Sequence, residues 1–161
     1  MANNYHGIPN VVGELSDGQT GPQSTSTDCT AMVYIAGHAN DNLWINVYAQ
    51  TTQTVATGKK FTIELQGYSA DTASSADGPF SVGNGGAIPQ DAAGTHHNDG
   101  HYYIYYTTTA DDATIFAAGD LITQVAIPSD LFRQSSYDYV QLVYDADESW
   151  TGLIDAFVYV R

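Results

Sequence analysis

Between residues 60 and 66 the chain alternates strictly: Phe61, Ile63 and Leu65 are apolar, while Lys60, Thr62, Glu64 and Gln66 are polar. A period of two fits a strand, whose successive side chains point to opposite sides, and not a helix with its period of 3.6. A strand of this kind faces the core on one side and water on the other, which is the antiparallel pattern. Residues 43–49 repeat it, with Leu43, Ile45 and Val47 opposed to Trp44, Asn46 and Tyr48. Further strand signals lie at residues 32–36, 102–108, 121–127, 137–144 and 153–160, with turn formers between them. No segment shows a helical apolar period, and only residues 129–133 suggest a single helical turn. The pattern predicts an all-β fold, a single-domain antiparallel β-sandwich of jelly-roll-like form.

Composition agrees. Twelve tyrosines against two methionines suit a pleated, half-buried surface better than a helix. Fifteen of the 18 acidic residues are aspartate, a turn former and poor helix former. With only Lys59, Lys60, Arg133 and Arg161 as cations, the formal charge is −14. So acidic a surface repels nucleic acid, whose binders carry a basic stripe. Cys29 is the single cysteine, which excludes an intrachain disulfide. The opening MANNYHGIPN lacks the charged and apolar regions of a signal peptide, and no apolar run approaches the length of a membrane span. Synthesis in a cytoplasm is the expectation, with no nucleic-acid and no membrane partner.

Residues 1–30 contain Gly7, Pro9, Gly13, Gly18, Gly21 and Pro22, a Ser/Thr run from Ser24 to Thr27, and no cation. They read as an extended N-terminal arm before a β-sandwich at 31–161, ordered against a neighbour. Tyr5, Ile8, Val11, Val12 and Leu15 are its candidate anchors on another subunit or on a larger surface. The competing reading makes this segment the first strand of the sandwich. A second long polar stretch, 67–100, is rich in Ala, Asp, Ser and Gly.

Chemical candidates are few. His96, His97, Asp99 and His101 offer metal-ligating groups, and alternate strand positions would bring some of them to one face. Asn98-Asp99-Gly100 is a turn signal that breaks that face, and no histidine follows His101. These four are weak metal candidates, and a solvated loop is the plainer reading. Asp145-Ala-Asp-Glu148 looks like the start of a calcium loop, yet Trp150 and Ala156 stand where an EF-hand needs glycine and an acid. No Gly-x-Ser-x-Gly elbow is present. No catalytic residue and no cofactor is expected. Trp44, Tyr103, Tyr105 and Trp150 could form an outward aromatic platform, so a carbohydrate-binding module or phage adhesin is one alternative; a metal-dependent β-barrel enzyme is another.

Three stretches carry a family likeness: Gly119-Asp-Leu-Ile-Thr-Gln-Val-Ala-Ile-Pro128, Tyr137-Asp-Tyr-Val-Gln-Leu-Val-Tyr144 and Thr151-Gly-Leu-Ile-Asp-Ala-Phe-Val-Tyr159. Together they resemble the capsid cement, or decoration, proteins of tailed bacteriophages. In that family a Gly-led strand ends at Ile-Pro or Leu-Pro, and a Tyr-x-x-Leu-x-Tyr strand follows. An acidic turn then leads to a final strand that starts near Thr-Gly. Phe61-Thr-Ile-Glu-Leu-Gln66 is similar to an earlier strand of the same family. The likeness spans residues 58–160 and leaves the arm without a counterpart. It implies a non-enzymatic homotrimer that binds the major capsid protein on the outer surface of a phage head and stabilises the shell. That surface suits an acidic exterior, away from packaged DNA.

Overall fold

The period-two runs become strands, and what they pair with fixes the architecture. A computed structural model of the protein describes residues 10–21, 27–28, 31–38, 41–68, 102–106, 114–127 and 139–161. Its strands are β1 (Val11–Thr20), β2 (Thr27–Asp28), β3 (Val33–Tyr34), β4 (Leu43–Ala49), β5 (Gln53–Val55), β6 (Phe61–Tyr68), β7 (Tyr102–Tyr106), β8 (Thr114–Phe116), β9 (Leu121–Ala126), β10 (Tyr139–Ala146) and β11 (Leu153–Val160). The one helical element among the described residues is a 3-10 turn at Ala36–His38. None of the described residues forms a helix long and apolar enough to cross a membrane.

Among the described residues all strand pairings are antiparallel. The first sheet has the order β1-β11-β4-β9, and the second β2-β10-β6-β7 with β3 also on β10; β5 and β8 form a separate ribbon. The fold is therefore all-β. One apolar cluster unites the two larger sheets: Ile45, Val47, Ile154, Ala156 and Val158 from the first meet Phe61, Ile63, Leu65, Val140 and Leu142 from the second. At their margins β1 runs beside β3 and β9 beside β7. Gly13 lies so close to Val33 that a Cβ there would come within 2.8 Å of its Cγ1.

The alternation in β6 is realised, since Phe61, Ile63 and Leu65 are fully buried. Thr62 departs from the expectation of a wet face: it is buried, and its hydroxyl donates to the Asp145 carbonyl at 3.3 Å. That bond satisfies a hydroxyl which would otherwise be costly to desolvate. Trp150 is a core residue as well, its ring stacked on Phe61 with centroids 4.0 Å apart.

Residues 10–21 correct the boundary expected at residue 30. They do not extend away from the body; Val11–Thr20 is β1, paired with β11 from Val11↔Tyr159 to Thr20↔Leu153. Leu15 is fully buried in the shared core, and Val12 packs against it. The physical cause is a pairing invisible in local composition. The apolar β11 supplies the hydrogen-bonding edge, and three register shifts absorb the irregular spacing of apolar residues in β1. Inside, the Ser16 hydroxyl bonds the Tyr144 hydroxyl at 2.8 Å and donates to Gln19 Oε1 at 2.8 Å. Residues 1–9, with Tyr5 and Ile8, fall outside the described residues, as does the helical turn expected at 129–133; of the loop expected over 67–100, Gly67 and Tyr68 belong to β6 and the rest falls outside the described residues.

Candidate functional site: the outward face of the first sheet

Because β4 and β11 turn Ile45, Val47, Ile154, Ala156 and Val158 inward, the intervening residues share the opposite face. Register brings Trp44 beside Tyr159, Asn46 beside Phe157 and Tyr48 beside Asp155. β9 adds Gln124 beside Asn46. The face is thus a row of rings and amides, with Phe157 only 1% exposed and Asn46 3%.

Its polar groups bind one another. Gln124 Nε2 donates to Asn46 Oδ1 at 3.0 Å and to Tyr159 Oη at 2.9 Å, and Asn46 Nδ2 donates to Tyr48 Oη at 3.0 Å. The Tyr48 and Phe157 rings lie 5.8 Å apart, and the Arg161 guanidinium sits 4.5 Å from the centre of the Trp44 ring. A cation so placed is attracted by the ring face and occupies it. A sugar-binding platform requires open, coplanar rings, whereas here Trp44 is capped and Trp150 is on the other side of the sheet, in the core. The side chains of Tyr103 and Tyr105 lie outside the described residues.

At the β1 margin of this face stand three carboxylates. Asp155 is buried and accepts a hydrogen bond from Gly18 N at 2.7 Å, in a bulge where Gly18 takes a φ of 59°. Burial pushes the Glu14 carboxyl above its ordinary value, and the negative charges of Asp17 and Asp155 add to the rise. Such a rise follows when a carboxylate loses water and faces like charge.

The calcium-like run has a structural use. Glu148 Oε1 accepts from Ala56 N at 2.8 Å and Asp147 Oδ1 from Lys60 N at 2.8 Å, while Asp145 lies 4.0 Å from Lys60 Nζ. These carboxylates fasten the β10–β11 turn to the chain entering β6, through charge-assisted bonds to backbone N–H groups. Among the described residues no group of three His, Cys, Asp or Glu side chains is arranged to hold a metal ion. His96, His97, Asp99 and His101 fall outside the described residues.

Of the proposed contact residues, Val11 and Val12 are half-buried in β1 and Leu15 is a core residue, so Leu15 is not available as an anchor on a partner. The amide and tyrosine network escaped the sequence reading. Its signal was present in the polar partners of the alternating strand 43–49, but nothing local joins Asn46 to Gln124. Compared with protein-family models, with curated proteins and with solved structures, the chain gives no match.

Proposed function

We propose that this chain is a non-enzymatic capsid decoration protein, a homotrimer that binds the outer surface of a tailed-phage head and braces the shell. The structural observation that supports the reading is the strand order. Leave aside β3, which shares β10 with β2, and the separate β5–β8 ribbon. Eight strands remain, and in chain order the first sheet holds the first, eighth, third and sixth. The second sheet holds the second, seventh, fourth and fifth. That order supports reading the chain as a jelly roll, two Greek keys folded into facing sheets, an architecture used by viral capsid proteins, lectins and cupins. We read the two sheets as such a sandwich.

Fold alone does not choose among those uses. The choice here rests on the family resemblance of residues 58–160, together with the formal charge of −14, which suits an outer surface facing away from DNA. The carbohydrate-binding reading loses ground because Trp44 is capped by Arg161 and Trp150 is in the core.

Co-sedimentation tests the proposal. Expanded heads of the phage that encodes the chain, prepared without it, should retain added protein at a fixed ratio to the major capsid protein and resist heat better afterwards. Protein that stays in the supernatant at concentrations well above micromolar sinks the reading.

A further inference from the structure

Between Ser16↔Ala156 and Gln19↔Ile154 the β1–β11 ladder shifts register, so Asp17 and Gly18 stand where β11 has the single Asp155. Both are bulged out of the ladder. Asp17 is exposed, and Gly18 takes a left-handed φ of 59° with no side chain of its own. The Gly18 N–H donates to Oδ1 of that same Asp155 at 2.7 Å, and Asp155 is only 5% exposed. An aspartate followed by glycine is the least hindered setting for a side-chain carboxyl to react with the next backbone nitrogen. Here a buried carboxylate already holds the proton that this nitrogen must lose.

We propose that Asp17–Gly18 is a self-modifying peptide bond, converted to isoaspartate through a cyclic imide with Asp155 as the base. Gly18 N attacks Cγ of the protonated Asp17 carboxyl, and the N–Cγ bond forms. The Cγ–OH bond breaks, and the hydroxyl leaves as water with the Gly18 proton, which Asp155 relays. Water then opens the imide at one of its two carbonyls. Attack at Cγ restores aspartate, while attack at the backbone carbonyl leaves the chain running through the side chain, as isoaspartate. Nothing is oxidised or reduced. A base must lie within about 2.6–3.2 Å of the atom whose proton it takes, and Asp155 meets that condition. The bulge frees these two residues from ladder bonds that would hold them extended. Ring closure also removes the Asp17 charge from the neighbourhood of Glu14, which relieves repulsion between like charges.

The test ages the full chain at neutral pH, folded and in denaturant, and follows the peptide holding residue 17 by chromatography and mass spectrometry. The imide shows as the loss of one water, and isoaspartate as a second peak of unchanged mass. In denaturant, Asp77–Gly78 and Asp99–Gly100 serve as internal clocks for the unassisted reaction. The folded protein should convert at residue 17 at least about tenfold faster than the denatured chain, since general-base help is worth about a hundredfold or more. Asp155→Asn keeps an oxygen for the Gly18 N–H but cannot take its proton, and should bring the folded rate down to about the denatured one. Folded wild type that converts at residue 17 no faster than the denatured chain overturns the proposal, whether or not Asp155→Asn folds. An Asp155→Asn protein that melts as a folded chain and still converts at the wild-type rate overturns it too.

Discussion

Leu15→Ala separates a strand from an arm more sharply than any other single change. Leu15 is fully exposed to the core and not at all to solvent, with 0% accessible surface, within a cluster drawn from both larger sheets. Truncation to alanine removes about three buried carbons, roughly 2.4 kcal/mol at about 0.8 kcal/mol for each. The cavity left behind adds to this, because neighbours relax only in part, and comparable substitutions cost about 2–5 kcal/mol. We expect about 3–4 kcal/mol, which for a chain of this size lowers Tm by roughly 6–16 °C. Denaturant titration of wild type and variant, followed by tryptophan fluorescence, measures the difference through the shift in midpoint at constant slope. The fluorescence is well placed, since Trp150 is in the same cluster. A loss smaller than about 0.5 kcal/mol, the usual range for surface substitutions, would refute the placement of β1 in the core and restore the extended arm.

Three further outcomes follow from particular contacts. Glu14 holds its proton more tightly when folded than an ordinary glutamate, through burial first and then the like charge of Asp17 and Asp155; its contribution to stability is therefore fully present below the ordinary glutamate range and is lost as the pH rises through the raised value. Glu14→Gln should melt above the wild type at about pH 7 and lose that advantage near pH 4, and an equal or lower Tm at the higher pH would contradict the account. Gln124→Ala should cost about 1–2 kcal/mol because it strands the buried Asn46 Oδ1; chemical denaturation of Gln124→Ala, Tyr159→Phe and the double variant should give costs that fail to add, and strict additivity would mean the network is not a unit. At Gly152 an added Cβ would run into the Gln53 side chain, so Gly152→Ala should lose about 1–3 kcal/mol. Shortening Gln53 in the same chain should recover part of that loss, and a thermal melt showing no recovery would point to backbone strain instead.

Periodicity alone made β4 and β6 legible, because a period of two is a property of the chain itself and survives without knowledge of partners. The same rule marked Phe61, Ile63 and Leu65 as core. It could not see β1, whose residues 13–20 include two glycines and two acids and have little apolar content. That segment is a strand because β11, more than a hundred residues away in sequence, offers it an edge, and the core shared by distant strands offers a place for Leu15. β5 and β8 were missed for a related reason, since three residues each carry too little pattern and only their mutual pairing defines them. Nor could sequence say which aromatics face out. Trp44 and Trp150 looked alike, yet strand parity sends Trp44 to the outward face under Arg161, and the turn after β10 drops Trp150 onto Phe61. Local pattern fixes which face of a strand is apolar. Only the pairing of distant strands decides what that face meets, because hydrogen-bonded edges and buried area become available together when the sheets assemble.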